Sequence, residues 1–310
     1  MQVAVVIPVF NGAATVASAI DSALGQSCEG GHEVVVVDDG STDSTPNVLT
    51  TFGSRVRVIR QANRGLAAAR NAGAMAARSE YIAFLDADDV WQPEKLTSLV
   101  NALGQSPGAV LAYSDVIAVN DRGEPAGVRY IDAAYAHAPS MADLLARWWP
   151  ILPSTVLMRR ATYEACQGFC EEYRRAYEDV DLWLRARERG DFIFVEEPLV
   201  RYRVTPIGDR MRKYEMDYAI FARRTAERYG HGADELLRAT RHAYASALGA
   251  SGVTALHSGD RAGARRALIG ALRYQPWHWR NTLRLARCFL PLRLARALSG
   301  GSRNKSAGQD

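Results

Sequence analysis

The chain has 310 residues and a formal net charge of +4 at pH 7, and 48% of its residues are hydrophobic. This length predicts either one large domain with an appendage or two domains, and the hydrophobic fraction is ample for a sizeable core. A membrane-spanning protein is not expected, because no apolar run reaches the roughly 18 residues that a bilayer requires. The first residues run directly into a strand pattern without a basic leader, so we expect a cytoplasmic protein without a signal peptide.

The four cysteines are scattered along the chain. Cys166 and Cys170 lie one helical turn apart, but no second cysteine or histidine pair near them completes a zinc site. We therefore expect all four cysteines to be reduced and to pack within the fold.

Strand and helix patterns alternate over the first hundred residues. Apolar runs predict buried strands over residues 3–9, 33–37 and 81–85, and a further strand is predicted over residues 56–59. Helices are predicted over residues 15–24, 41–52, 65–77 and 93–103. This alternation predicts an α/β fold with a mostly parallel central sheet and helices on both faces.

The pattern is less regular in the second half of the chain. Further strands are predicted over residues 110–119, 155–158, 192–195 and 199–204, and a helix over residues 179–189. The irregular stretch at 124–153 is typical of a lid or an acceptor-binding surface. We predict a main domain over residues 1–208, a helical extension over 209–298 and a disordered tail over 299–310.

The last predicted helix is amphipathic. Apolar and basic side chains fall on opposite faces, with Leu285, Phe289 and Leu290 on one and Arg280, Arg284 and Arg287 on the other. One interpretation is a helix that lies on an anionic membrane surface, since no acidic residue occurs between Asp260 and Asp310. The other is a helix packed on the main domain with a solvated arginine face.

Three carboxylates directly follow the strand at residues 81–85. Asp86, Asp88 and Asp89 would repel one another at a strand tip unless a cation neutralised them. Open α/β sheets place ligands at the carboxyl ends of their strands, and Mg²⁺ typically takes one or two carboxylates plus phosphate oxygens. The alternative is a solvated acidic turn before a helix.

A second pair of acids, Asp38 and Asp39, follows another strand, and a parallel sheet brings both sets to the same edge. Neither a GxGxxG sequence nor a P-loop follows the first strand, which continues as Pro8-Val9-Phe10-Asn11-Gly12. Without a glycine-rich phosphate cradle, a bound diphosphate would need a metal ion.

Six segments, in this order and spacing, resemble the family 2 inverting glycosyltransferases with the GT-A fold. They are VVIPVFNG (5–12), VVVVDDGSTDST (34–45), RGLAAARNAG (64–73), YIAFLDADDVW (81–91), YEDVDLWLR (177–185) and YRV (202–204). The resemblance covers residues 3 to about 205 and implies a GT-A-type sheet and a nucleoside-diphosphate sugar as donor.

The resemblance also implies donor-binding roles. Pro8 and Phe10 would line the nucleoside pocket, and Asp39 would accept a hydrogen bond from the base. Arg70 would approach the diphosphate, for which a guanidinium group is well suited. The alternatives are a cap of the following helix for Asp39 and a solvated helix position for Arg70.

The same resemblance implies the metal site. Asp86 would hold the ribose or the metal, and Asp88 would ligate Mg²⁺ or Mn²⁺ directly. Asp89 is expected to cap the next helix. Many family members carry a histidine shortly after the equivalent of Tyr202-Arg203, but none follows here, so the third ligand is open.

Asp179 matches the family's general base, which removes the proton of the acceptor hydroxyl. Glu178 and Asp181 would be neighbours that shape the acceptor site; the alternative is that these acids only favour a helix N-terminus. Trp148 and Trp149 are candidates for stacking on an acceptor ring, with burial in the core as the alternative.

These observations predict a metal-dependent inverting enzyme that adds one sugar, from a donor such as a UDP-sugar. Its expected acceptor is a lipid-linked or surface polysaccharide at the cytoplasmic face of the membrane, and no nucleic acid is expected as a partner. Processive members carry a Gln-x-x-Arg-Trp segment, which Arg147-Trp148 does not complete. The alternatives are a nucleotidyltransferase, which would need a basic glycine-rich loop after the first strand, and a catalytically inactive scaffold that binds nucleotide sugars.

Overall fold

The computed structural model of the protein describes residues 2–120, 123–129, 140, 151–204, 207–257 and 259–289. Trp148, Trp149, most of the irregular stretch at 124–153, Leu290 and the tail predicted at 299–310 lie outside this described part.

Nine strands in the described part form one sheet with the order β3-β2-β1-β4-β8-β6-β9-β5, and β7 pairs with β6. The strands are β1 Val3–Val9, β2 His32–Asp38, β3 Arg57–Arg60, β4 Tyr81–Phe84, β5 Val90–Trp91, β6 Ala109–Val119, β7 Pro125–Arg129, β8 Val156–Arg159 and β9 Asp191–Arg203. β8 is antiparallel to both of its neighbours, and β5 and β7 are antiparallel to theirs. The remaining strands run in one direction, which confirms the predicted mostly parallel α/β sheet.

Ten helices of four residues or more occur in the described part. They are α1 Val16–Leu24, α2 Thr45–Thr50, α3 Leu66–Ala76, α4 Lys95–Gly104, α5 Arg160–Ala165, α6 Glu178–Arg187, α7 Ile207–Tyr229, α8 Ala233–His257, α9 Arg261–Tyr274 and α10 Trp279–Arg287. The last four follow the sheet as a helical extension. None of these helices is both long enough and apolar enough to cross a bilayer.

The central strand β1 is buried on both faces, as its apolar sequence predicts. Val3, Val5 and Ile7 belong to one core cluster, together with α1 and α4, whereas Val6 belongs to a second cluster with α3 and α6. This division follows from the two-residue period of a strand. The strand order reverses at β1, because β2 lies on one side and β4 on the other. Such a switch point forms a ligand-binding crevice at the carboxyl edge of an open α/β sheet.

Helix α3 lies close to β1 because it carries glycine at the point of contact. A Cβ atom on Gly73 would lie 2.4 Å from Val6 Cγ1 and 3.1 Å from Val37 Cγ2. This close approach places Arg70, which is one turn earlier on α3, beneath the carboxyl edge of the sheet.

The two strands predicted at 192–195 and 199–204 form one continuous strand, β9, so this prediction was wrong. The pairing with β6 shifts between Ser114, opposite Val195, and Asp115, opposite Pro198. The extra residues of β9 form an irregularity within the strand, where a proline without an N–H group can be tolerated.

The last described helix does not carry Leu285 and Phe289 on one face, as the sequence predicted. Leu285 packs inward against a small core that contains Ala264, Leu268 and Cys288. The helix ends at Arg287, so Phe289 lies beyond it and is 65% exposed.

Candidate active site

The loops after β1 and β2 are joined by the side chain of Asn11, which has a left-handed backbone with φ of 53°. Asn11 Oδ1 accepts hydrogen bonds from the Thr42 and Asp43 N–H groups at 2.8 and 3.3 Å. In return, the Ser41 hydroxyl accepts a hydrogen bond from the Asn11 N–H at 2.9 Å. The two segments that carry the strongest sequence motifs therefore form one rim of the carboxyl edge.

A cleft of about 500 Å³ opens beside this rim. Its lining includes Pro8, Phe10 and Asp39, three residues that were assigned to donor binding from the sequence. Arg174 and Arg175 line the same cleft from the segment that precedes α6. Phe10 is 50% exposed, so its ring is accessible to a ligand. This volume is in the range of clefts that bind small molecules.

Asp39 is oriented by three donors from the segment that follows β3. Its Oδ1 accepts hydrogen bonds from Gln61 Nε2 at 2.8 Å and the Arg64 N–H at 2.9 Å, and its Oδ2 accepts one from the Gly65 N–H at 2.8 Å. The alternative that Asp39 caps the following helix, α2, was wrong, because these donors lie at the start of α3. Asp39 therefore holds the cleft wall together, and its carboxylate has the lone pairs for a further donor.

The three acids after β4 point in different directions. Asp88 is exposed and Asp86 is half-buried, whereas Asp89 is only 1% exposed. Asp89 Oδ2 accepts a hydrogen bond from the Ser154 hydroxyl at 2.6 Å, and its Oδ1 accepts one from the Arg203 N–H at 2.9 Å. Burial, with the nearby charges of Asp88 and Asp86, raises the pKa of Asp89 well above its usual value.

The expectation that Asp89 caps a helix was wrong, because α4 begins six residues later, at Lys95. Asp89 is instead buried, and its hydrogen bonds connect the tip of β4 to the segment before β8 and to the end of β9. Ser154 was missed by the sequence reasoning, although its hydroxyl also accepts a hydrogen bond from the Asp86 N–H at 3.0 Å. A single serine more than sixty residues away gives no sequence signal for this contact.

Arg70 is the central cation of the site. It is 1% exposed, and its Nη2 lies 2.6 Å from Asp86 Oδ1 while its Nη1 lies 2.9 Å from Glu178 Oε1. Burial alone would lower the pKa of Arg70, but Asp86, Glu178 and Asp179 outweigh this effect and raise it. The alternative of a solvated helix position was wrong. The placement also differs from the expected contact with the diphosphate, because carboxylates already engage both terminal nitrogens.

Asp179 lies in the first turn of α6, next to this ion-pair network. Burial and the adjacent charge of Glu178 raise the pKa of Asp179 to about 7, although Arg70 opposes the shift. The Val180 N–H donates to Asp179 Oδ1 at 2.7 Å. A carboxylate with a pKa near neutrality, close to the ion pair of Arg70 with the strand-tip Asp86, has the properties of a general base.

The neighbours of Asp179 are engaged in structural contacts. Glu178 is buried and paired with Arg70. Asp181 Oδ2 lies 2.6 Å from Arg185 Nη2, and its Oδ1 lies 3.3 Å from Arg224 Nε on α7. Asp181 therefore connects α6 to the helical extension, and the acceptor-site roles expected for Glu178 and Asp181 stay predictions.

The residues present fit a divalent cation for which the protein supplies only some of the ligands. Asp86 and Asp88 offer carboxylate oxygens at the strand tip, and their negative charges add to the effect of burial in raising the pKa of Asp89. Within the described ranges, no group of three or more His, Cys, Asp or Glu side chains is arranged as a metal site. Mg²⁺ is commonly bound in this way, by one or two carboxylates with the remaining positions filled by substrate phosphates and water.

Comparison with known proteins gives the family and the fold. The profile described as Glycosyl transferase family 2 matches residues 4–166. An uncharacterized glycosyltransferase of Nostoc sp. is 38% identical over 151 residues, which are 47% of this chain and 44% of that protein. The amylovoran biosynthesis glycosyltransferase AmsB of Erwinia amylovora is 30% identical over 229 residues, which are 70% of this chain and 75% of that protein.

The structural likeness extends over most of the chain. The crystal structure of S. aureus TarS 1–349 in complex with UDP-GlcNAc has a TM-score of 0.59 and 17% identity, and the match covers 88% of this chain and 81% of that one. At this level of identity the likeness establishes the fold alone.

The fold and the acid-rich edge of the sheet define a GT-A-type α/β protein with a helical extension. The chain belongs to glycosyl transferase family 2, and the matched residues form a glycosyltransferase domain. It spans less than half the length of the Nostoc relative, of which the match covers 44%.

Proposed function

We propose that this protein is a metal-dependent inverting glycosyltransferase that moves one sugar from a nucleoside-diphosphate sugar to an acceptor hydroxyl. The observation that carries the proposal is the ion-pair network of Arg70, which pairs with Asp86 at the tip of β4 and with Glu178, the residue before Asp179. This network brings Asp179, whose pKa is raised to about 7 by burial and by Glu178, near the acids that would hold the leaving diphosphate.

The donor nucleoside binds in the cleft against Phe10, and Asp39 accepts a hydrogen bond from the base. UDP-sugars are the donors that we infer, since TarS has been crystallised with UDP-GlcNAc and with UDP. Asp39 suits the imide N–H of uracil, because its carboxylate is buried, fixed by three donors and able to accept a further bond.

Asp86 and Asp88 would hold a divalent ion, Mg²⁺ or Mn²⁺. When bound, such an ion stabilises negative charge on a leaving diphosphate. Arg70 holds Asp86 in position, because it pairs with one carboxylate oxygen and leaves the other for a ligand.

Asp179 removes the proton from the attacking acceptor hydroxyl. The hydroxyl oxygen forms a bond to the anomeric carbon as the bond from that carbon to the diphosphate oxygen breaks, so the configuration inverts. The proton passes to the Asp179 carboxylate, and the electron pair of the broken bond leaves on the diphosphate. Glu178 supports this step because its charge, held by Arg70, keeps the basicity of Asp179 high.

The acceptor that we infer is a lipid-linked or surface polysaccharide at the cytoplasmic face of the membrane. A relative named for amylovoran biosynthesis supports an acceptor of the polysaccharide class. The end of the described chain supports the location, because Trp277 and Trp279 are 94% and 64% exposed. Arg280 lies over the Trp279 ring at 5.3 Å, and exposed tryptophans beside arginines are typical of helices that bind anionic bilayers.

Product analysis tests the reaction. Incubation of the chain with UDP-sugars, Mn²⁺ and an acceptor panel is expected to release UDP and to give a product of inverted anomeric configuration. Release of pyrophosphate would indicate a nucleotidyltransferase instead. Binding of UDP-sugars without turnover on any acceptor or water would indicate an inactive scaffold.

Vesicle sedimentation tests the membrane surface. The chain is expected to sediment with vesicles of phosphatidylcholine and phosphatidylglycerol, but not with phosphatidylcholine alone. Replacement of Trp277 and Trp279 by serine is expected to abolish this binding, whereas Met75→Ser, at an 83% exposed position on α3, is expected to leave it unchanged. Equal sedimentation of all three proteins would contradict the proposed surface.

A further inference from the structure

We infer that the helical extension takes part in donor binding: Asp217 of α7 holds residues 174–176 at the cleft, where the guanidinium groups of Arg174 and Arg175 bind the donor diphosphate. This inference rests on the proposed function, and it assigns the diphosphate contact to two arginines that no sequence motif had indicated.

A cation is required because the carboxyl edge of the sheet is acidic. Asp39, Asp86, Asp88 and Asp179 all lie along it, and a diphosphate adds further negative charge. Arg70 is already paired with Asp86 and Glu178 and is 1% exposed, so it neutralises the protein and not the ligand. A divalent ion at Asp86 and Asp88 meets only part of this need.

Arg174 and Arg175 are the cations among the residues that line the cleft. Both are exposed, and they line the same cleft as Phe10 and Asp39. Arg174 Nη1 makes one long contact, at 3.4 Å, to the carbonyl oxygen of Arg64, whose N–H donates to Asp39. Guanidinium groups bind phosphate oxygens through paired N–H donors, so two of them can grip a diphosphate.

Asp217 fixes the backbone that carries these arginines. Its Oδ2 accepts hydrogen bonds from three consecutive N–H groups, those of Arg174, Arg175 and Ala176, at 2.9, 2.6 and 3.0 Å. Asp217 is 4% exposed, so these bonds are shielded from water. A carboxylate that accepts several backbone donors forms strong charge-assisted bonds, and it holds this segment in one conformation.

One turn further along α7, Phe221 holds the next part of the same segment. Its ring stacks on Tyr177, with centroids 4.5 Å apart and an angle of 14° between the ring planes. Tyr177 has a left-handed backbone with φ of 69°, which is costly for a residue with a bulky side chain. The stack therefore stabilises the strained residue that immediately precedes Glu178 and Asp179, so α7 positions the arginines and the base together.

Binding of UDP and of uridine separates a diphosphate contact from a structural role. Calorimetry with Mn²⁺ present would give the affinity for UDP, and competition would give the affinity for uridine, which lacks phosphate. Replacement of both Arg174 and Arg175 by glutamine is expected to weaken UDP binding about tenfold or more and to leave uridine binding within about twofold. Arg189→Gln, at an exposed arginine away from the cleft, is the matched control and is expected to change neither.

Asp217→Asn keeps the shape of the side chain but weakens its hold on the three N–H groups. It is expected to lower the ratio of UDP affinity to uridine affinity by about threefold or more, in the same direction as the arginine replacements. Asp260→Asn is the control for stability, because Asp260 caps α9 in the same extension through the Gly263 N–H at 2.8 Å. It is expected to lower the melting temperature without changing that ratio.

The outcomes separate a failure of the diphosphate contact from a failure of the proposed function. Wild-type binding of UDP that the arginine replacements leave unchanged would overturn the diphosphate contact. If Asp217→Asn leaves the ratio of UDP affinity to uridine affinity unchanged and loses stability as Asp260→Asn does, the role of Asp217 is structural only. A wild-type chain that binds none of UDP, GDP, ADP and dTDP would overturn the proposed function itself.

Discussion

Arg70 Nη2 lies 2.6 Å from Asp86 Oδ1, in an ion pair whose arginine is 1% exposed. The other terminal nitrogen of Arg70 reaches Glu178, more than a hundred residues further along the chain. One buried cation therefore joins the tip of β4 to the start of α6. The strand-tip carboxylate Asp86 and the residue before the proposed base, Glu178, are held by the same guanidinium group.

Replacement of Arg70 by glutamine is expected to destabilise the fold by about 3 to 5 kcal/mol, because it leaves two carboxylates close together without their cation. The measurement is the free energy of unfolding in urea. Arg60→Gln removes a mostly exposed arginine, 3.4 Å from Asp38, and is expected to cost less than about 1 kcal/mol. Similar losses for the two variants would show that burial does not govern the Arg70 network.

Replacement of Asp179 by asparagine is expected to lower kcat by about three orders of magnitude or more, because an amide cannot accept the acceptor proton. The dissociation constant for UDP is expected to stay within about threefold of the wild-type value, since the nucleotide contacts lie elsewhere. Initial rates and calorimetry give the two quantities. Asp191→Asn, at an exposed position on β9, is the control, and retained turnover in Asp179→Asn would exclude this residue as the base.

The rate of transfer is expected to rise with pH through about 7. Asp179 has its pKa raised to about 7 by burial and by Glu178, and only its ionised form can act as a base. The pH profile of kcat/KM, measured at constant ionic strength, checks this. A profile that is flat between pH 5.5 and 8.5 would contradict it.

The same shift predicts a dependence of stability on pH. Because the pKa of Asp179 is higher in the folded state than its ordinary value of 3.8, the folded protein favours the protonated form. The contribution of this preference to the free energy of unfolding is fully present below about pH 4 and is lost as the pH rises through about 7. Asp179→Asn is therefore expected to be about 1 to 3 kcal/mol more stable than the wild type at pH 8, with no such gain at pH 4. Urea unfolding of both proteins at the two pH values gives the difference, and equal differences would contradict the expectation.

Replacement of Asp88 by asparagine is expected to abolish the dependence of UDP binding on Mn²⁺, because it removes the exposed carboxylate that would ligate the metal. Chelation with EDTA is expected to have the same effect on the wild type and to be reversed by added Mn²⁺ or Mg²⁺. Thermal shifts with UDP, with and without metal, measure this, and Asp21→Asn on α1 is the exposed control. A metal-dependent shift that survives in Asp88→Asn would place the ion elsewhere.

The sequence predicted the strands of the sheet and the acids at their ends, because a buried parallel strand has a clear apolar pattern and its carboxyl end must lie at one edge. It did not predict what each acid contacts. Asp86 and Asp89 are the same residue type and three residues apart, yet Asp86 is half-buried at the edge and Asp89 is buried against Ser154. That difference depends on a partner distant in the chain, which local periodicity does not encode.

The placement of Arg70 was missed for a related reason. Its position on an alanine-rich helix is compatible with solvent or with the sheet, and the close approach at Gly73 selects the sheet. The role of Asp217 was beyond the reach of the motifs, since the helical extension follows the segments that resemble the family and its aspartates have no distinguishing pattern.

The contacts that Asp217 and Phe221 make with the segment before α6 limit how such enzymes can be recombined. A chimera that joined the sheet of this chain to the last helices of a relative would interrupt an interface in which each side supplies half of the bonding groups. Exchange of the last helices, in the laboratory or during evolution, would therefore need matched substitutions on both sides of the junction.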